Sequence, residues 1–322
     1  MFKSACFFRI ADDFVLPPLD ALEKVLQKGR FVPCGPTQPE SSGWVPPRGN
    51  KSKVLAELVG QQLILKLATE KRAVPASAVK AAVEERIEQY KAQTGNERVP
   101  ARMKKEFKEE VVQDLLPRAF SKRATTLLWL DPAHRMLVVD AGSLAAADRI
   151  VSSLLAALLE VPGGAPSLDL QLIQTAMSPS AAMAHWLSTR EAPWRFTVDR
   201  DCELKAADEE KSAVRYVRHT LEIDEVAQHI AAGKVPTQLA MTWNDRVSFL
   251  LTEAGQVRRL KLLDVVMEGV DKPGRNEDGF DTDAAILTGE LAAMIPDLLE
   301  ALGGEAPLGA APGAAPAPAP AG

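Results

Sequence analysis

Cysteine is scarce in this chain. There are three among 322 residues, Cys6, Cys34 and Cys202, odd in number and with no CxxC pair. That excludes a disulfide framework and a thiolate zinc ribbon, and fits inert thiols in a reducing compartment. Histidine is as sparse: His134, His185, His219 and His229 are scattered, and none has a partner four residues on. No GxSxG, GxGxxG or GxxxxGK[ST] occurs, and Gly233-Lys234 is followed by Val235 with no glycine loop ahead of it. Asn276 to Gly279 resembles a calcium loop but lacks Asp at its first position and Glu at its twelfth, where Ala285 stands. Nothing nominates a nucleophile, a base, a metal or a cofactor, although missing motifs do not by themselves exclude an enzyme.

Long apolar runs are also missing. The most apolar helical stretch, 150–159, is bounded by Asp148, Arg149 and Glu160 and falls far short of the ~20 residues a bilayer span needs. Asp12 and Asp13 interrupt the first apolar stretch before a signal core forms. A cytoplasmic protein with no membrane contact is expected. Nor does one sign of charge dominate: 38 basic against 43 acidic side chains give a net charge of −5. A uniformly basic nucleic-acid coat is therefore excluded, and any polyanion site must be local. With 46% apolar and 25% charged residues, the chain is neither wholly disordered nor fibrous.

What is present divides into segments. Residues 303–322 are Gly, Ala or Pro except Glu305 and Leu308, a composition that cannot bury a core; 306–322 are set aside as a disordered tail. Residues 74–117 predict two helices. Ser77 caps the first, Val79, Val83, Ile87 and Tyr90 share one face, and Gly95 follows its end. Pro100 opens the second, Met103, Phe107, Val111 and Leu115 recur every four residues, and Pro117 closes it. Two narrow apolar stripes on charged helices make a projecting antiparallel finger. Around it, 5–10 and 62–68 read as strands, and 125–130 with 136–140 as a hairpin turning at Asp131-Pro132-Ala133. Ser143 caps a helix over 144–160, and Pro162-Gly163-Gly164 marks a boundary. Beyond it, helices are expected at 181–187, 224–232 and 283–302, the last kinked at Pro296 with Asp281 and Asp283 at its start. Strands are expected at 238–243, 247–252 and 257–262. Consecutive hairpins favour an α+β fold with antiparallel sheets.

Charge is uneven. Between Arg98 and Arg123 lie eight basic residues, Arg98, Arg102, Lys104, Lys105, Lys108, Arg118, Lys122 and Arg123, against four acidic ones. Arg215 and Arg218 form a second cluster. Arg259 and Lys261 belong to a third, where strand alternation would set them opposite Arg258 and Leu260. Cations gathered on one surface suit phosphate, because each neutralised phosphate releases counterions. Pairs such as Lys105 with Glu109 would instead make an ordinary solvated helix face. Phe120, left on a turn by the helix-ending Pro117 and set between Arg118 and Lys122, is either a core plug or an anchor for a partner. Trp44 reads as a packing wedge.

FVPCG at 31–35, GWVPP at 43–47, LLPRAFS at 115–121, HIAAGKV at 229–235, RLK at 259–261, LTGELAA at 287–293 and LGGE at 302–305 occur in one order along the chain. In these stretches the chain resembles the RdgC family of bacterial recombination-associated proteins. The resemblance implies a β-rich central region (1–73 and 118–161), a helical tip (74–117) and an α+β base (162–305). It implies a protein that is not an enzyme: a homodimeric ring whose basic hole encircles double-stranded DNA with little sequence preference, and which restrains RecA-promoted strand exchange. Single-stranded DNA is a further candidate partner. A cytoplasmic, nucleoid-associated location follows. By position, Arg118 and Phe120 fall at a tip-to-tip dimer contact, and Arg215, Arg218 and Lys234 in basic stretches. Arg98, Arg102, Lys104, Lys105, Lys122, Arg123, Arg259 and Lys261 complete the expected DNA-binding set. The competing reading is a protein-interaction module acting on recombinase filaments, with DNA contact incidental.

Overall fold

The computed structural model describes residues 2–49, 52–162, 170–206, 212–221, 223–268 and 279–306. The Gly163-Gly164 boundary, most of the calcium-like loop and the tail beyond Ala306 lie outside them. In chain order the elements are β1 (Ser4–Ile10), α1 (Leu19–Lys28), β2 (Glu40–Trp44), β3 (Glu57–Val59), β4 (Gln62–Ala73), α2 (Ala76–Thr94), α3 (Ala101–Leu115), a 3₁₀ turn (Leu116–Arg118), β5 (Phe120–Asp131), β6 (Met136–Val139) and α4 (Leu144–Leu159). There follow β7 (Leu170–Leu172), α5 (Pro179–Thr189), β8 (Phe196–Ala206), β9 (Ala213–Tyr216), α6 (Asp224–Ala231), β10 (Lys234–Trp243), β11 (Val247–Thr252), β12 (Val257–Leu262), α7 (Asp264–Met267) and α8 (Phe280–Ala301). The strands pair antiparallel, so the fold is α+β.

The chain forms two compact units. The first takes the described residues of Met1–Val25, Pro46–Leu65 and Leu127–Gly322; the second is Leu26–Val45 and Lys66–Thr126. In the first, β5, β6, β1, β12, β11, β10, β8 and β9 pair in that order, with β7 also on β1. Period-two alternation sends Leu239, Met241 and Trp243 of β10 and Val247, Phe249 and Leu251 of β11 into one core. Helices close it: Met183, Trp186 and Leu187 from α5, Val226 from α6, and Leu287, Leu291, Met294, Ile295 and Leu298 from α8. The α8 residues follow one helical stripe, and the helix runs continuously through Pro296. Asp281 and Asp283 sit in its first turn, where the helix dipole favours carboxylates. All four residues of β6 are buried, as an unbroken apolar run covered on both faces requires; Met136 and Val138 enter this core while α4 packs on the strand.

In the second unit, β2, β4 and β5 pair in that order and carry the two helices. The helices are antiparallel: Arg86 of α2 bonds Glu110 and Asp114 of α3, and Tyr90 meets Phe107 edge-on at 5.9 Å. Gly95 ends α2 with φ of +68° and bonds back to Lys91. Trp44 is buried, as a packing wedge should be. Gly43 before it has no room for a side chain, because a Cβ would stand 2.5 Å from the Cα of Phe31.

Three expectations need correction. Ser77 does not cap α2; the cap position falls two residues earlier, at Pro75, with no side-chain cap bond. Phe120 is not on a turn but is the first residue of β5. Strict alternation fails in β12: a bulge puts Arg259 and Leu260 opposite Phe249 alone in β11, Arg259 takes a φ of +50°, and Val257 and Leu260 both face the core.

Candidate nucleic-acid interface

Ion pairing decides which of the cations at 98–123 remain available. All four acidic residues of this stretch are occupied. Glu106 pairs with Arg102 at 3.0 Å and Glu109 with Lys105 at 3.8 Å, one helical turn apart as the spacing predicts. Glu110 and Asp114 are taken by Arg86, from outside the stretch. Arg123 is drawn inward: Nη2 lies 2.8 Å from Oε2 of buried Glu70, and the guanidinium covers the Phe31 ring at 4.5 Å. That contact, with the Cys34 amide, holds the Glu70 carboxyl below its ordinary range against the opposing effect of burial. Arg98, Lys104, Lys108, Arg118 and Lys122 are left exposed, with no acidic partner among the described residues. These five uncompensated cations belong to one unit.

Phe120 stands among them. Its ring is 92% exposed, which removes the core-plug reading. Nearby, Arg72 pins the backbone: Nη1 donates to the carbonyls of Leu116 and Ala119, and Nη2 to that of Cys34. The chain entering β5 is therefore held while the phenyl ring points into solvent. A single exposed phenyl on a pinned strand end, flanked by Arg118 and Lys122, suits an anchor for an apolar pocket elsewhere.

The first-unit candidates are different. Arg215 bonds Glu203, with Nε at 3.1 Å. Glu203 is buried and also takes Lys205 at 2.7 Å and the Thr237 hydroxyl at 2.9 Å; Lys205 and Arg215 pull its carboxyl down to about 2. Asp201 accepts the Arg218 amide at 2.8 Å and lies 3.3 Å from Arg259. Lys234 is half-buried at the start of β10, and Lys261 is exposed on β12; neither has an acidic partner among the described residues. Arg215, Arg259, Asp201 and Glu203 border one cleft of about 80 Å³, so cations and carboxylates alternate there rather than forming a basic field. The neutralising carboxylates were not legible locally. Glu70 lies 53 residues from Arg123 in sequence and Asp201 58 from Arg259, so only sheet pairing brings them together.

The family model described as "Putative exonuclease, RdgC" matches residues 1–305. The chain belongs to the RdgC family. "Recombination-associated protein RdgC" of Dechloromonas aromatica is 45% identical over 309 residues, covering 94% of this chain and 98% of that protein. The proteins of the same name from Herminiimonas arsenicoxydans and Janthinobacterium sp. are each 42% identical over 306 residues, with the same coverage. The two descriptions point in different chemical directions, one to strand cleavage and one to recombination. Among the described residues of this RdgC-family chain, no three His, Cys, Asp or Glu side chains group so as to hold a metal ion. No helix among them is long and apolar enough to cross a membrane.

Proposed function

We propose that the protein binds duplex DNA through its phosphates without reading sequence, closes around it as a homodimeric ring, and restrains RecA-promoted strand exchange without cutting the DNA. The observation that carries DNA binding is the set of five cations in the second unit whose charge no carboxylate cancels. Each can displace condensed counterions from a phosphate, whereas cations already paired would first have to break their own bonds. The exposed Phe120 supports self-association: a two-fold axis through such a contact buries the ring of both copies. The name of the Dechloromonas aromatica relative, a recombination-associated protein, agrees with this reading.

The test is a shift assay with covalently closed and linear duplexes, alongside sizing of the free protein. A ring predicts a dimer that is retained on closed circles and slides off linear ends. Binding only in the presence of recombinase would favour the interaction-module reading. Loss of end label from the linear duplex during the assay would favour the exonuclease description.

A further inference from the structure

The chain has five tryptophans, and four are buried: Trp44, Trp129, Trp186 and Trp243 are each 4%, 0%, 5% and 3% exposed. Trp194 is 70% exposed. It lies in a tight turn, closed by the Phe196 amide donating to the Pro193 carbonyl at 2.9 Å. Arg195, the next residue of the turn, has a φ of +67°, a left-handed conformation unfavourable for a non-glycine residue. Its guanidinium covers the indole, with the carbon 4.0 Å from the ring centroid. The guanidinium is itself fixed at 3.1 Å from Oδ2 of Asp297, an oxygen that also accepts the Trp243 indole N–H at 2.7 Å. The Arg195 carbonyl receives the Asn244 amide at 2.7 Å. An indole is thus held out in water by a turn that three bonds keep strained.

Beside this turn lies a cleft of about 480 Å³. Ala192 and Phe196, on either side of Trp194, border it; Trp186, Leu187, Phe196 and Leu221 contribute apolar lining, and Arg190, Arg200 and Asp199 contribute charge, Asp199 also accepting the Thr242 hydroxyl at 2.8 Å. Arg190 is held by Asp224, while Arg200 is exposed and has no acidic partner among the described residues. A flat aromatic platform next to a cleft with arginines matches one ligand chemistry: an unpaired nucleotide, its base on the ring and its phosphate near a guanidinium. Bases of an intact duplex are already stacked and cannot present a free face.

We propose that the Trp194 turn and the cleft beside it form a stacking site for a nucleobase of single-stranded nucleic acid. This rests on the DNA-binding reading above and adds a separate place for an unpaired strand. Stacking of one base is worth roughly 1–3 kcal/mol, so its loss weakens binding at least about five-fold.

Tryptophan emission of the full chain, titrated with an oligothymidylate and separately with a duplex, tests the proposal, because Trp194 is the indole that solvent and a base can reach. Oligothymidylate should quench the wild type. Trp194→Ala should bind it at least about five-fold more weakly, with duplex affinity and circular dichroism unchanged, and Trp194→Phe should recover most of the affinity without the quench. Equal oligothymidylate affinity in wild type and Trp194→Ala overturns the proposal, as does an equal loss toward both DNAs, which would signify a protein contact. Duplex binding with no oligothymidylate binding overturns this site alone; binding of neither overturns the DNA reading itself.

Discussion

At the residue scale, two buried carboxylates explain why basic sequence clusters are not all basic surface. Glu70 and Glu203 each sit under an arginine that the sequence presents as free. Glu203 also carries a pH signature. Its folded value of about 2 lies below the ordinary 4.5, so its contribution is fully present above that ordinary value and is lost as pH falls toward 2. The contribution is on the order of 3 kcal/mol. Melting the wild type and Glu203→Gln from pH 7 to pH 2 should show a gap that closes toward the acid end; a constant gap would mean that the charge is not what stabilises. The cysteines show the opposite effect. Burial pushes the Cys6 thiol up to about 11 and the Cys202 thiol to about 12. Because the thiolate is the reactive form, neither should be alkylated at neutral pH until the protein unfolds. Mass spectrometry after a short iodoacetamide pulse, native against denatured, checks this; rapid native labelling of either would contradict the packing.

At the element scale, the strand end carrying Phe120 and the β2 wedge make opposite predictions. Phe120→Ser should leave the melting temperature of the isolated chain nearly unchanged, within about 0.5 kcal/mol, because an exposed ring packs on nothing in its own copy. It should cost roughly 2–4 kcal/mol of self-association if the ring anchors a partner copy, as sedimentation would report. Gly43→Ala should instead destabilise by about 2 kcal/mol or more, since its Cβ meets backbone that cannot give way. These elements also show what could be read in advance. The helices α2 and α3 were legible because their stripes recur at helical spacing between prolines and Gly95. The strands β11 and β12 were legible to the residue because each is a short apolar-patterned run between turns. The start of β5 was not: Phe120 through Thr125 are all exposed, so no alternation marks them as strand. Likewise β8 hides in FTVDRDCELKA, where charges interrupt the pattern, and the β12 bulge has no local sequence signal. At the candidate interface the cations and the pairs one turn apart within α3 were legible; the longer-range pairings were not, because Arg86, Glu70, Asp201 and Glu203 come from other elements.

At the scale of the whole molecule, a net charge of −5 and affinity for a polyanion are compatible only if the acidic residues are spent on internal pairs or kept off the binding surface. The second unit shows how: between Arg98 and Arg123 its carboxylates neutralise Arg102, Lys105 and Arg123 and leave five other cations open. Phosphate binding of this kind has a thermodynamic mark that apolar association lacks, a logarithmic affinity that falls linearly with the logarithm of salt by about 0.9 per phosphate engaged, and only the absence of sequence preference separates it from base reading. The most direct measurement is that slope, for one duplex and its scrambled counterpart. It should be taken on the wild type, on a variant with Arg98, Lys104, Lys108, Arg118 and Lys122 changed to Gln, and on a control with the paired Arg102 and Lys105 changed to Gln. The wild type should show the same steep slope for both sequences, flattened by several units in the five-site variant and by less than one in the control. An unchanged slope in the five-site variant, or a strong preference for one sequence, would contradict it.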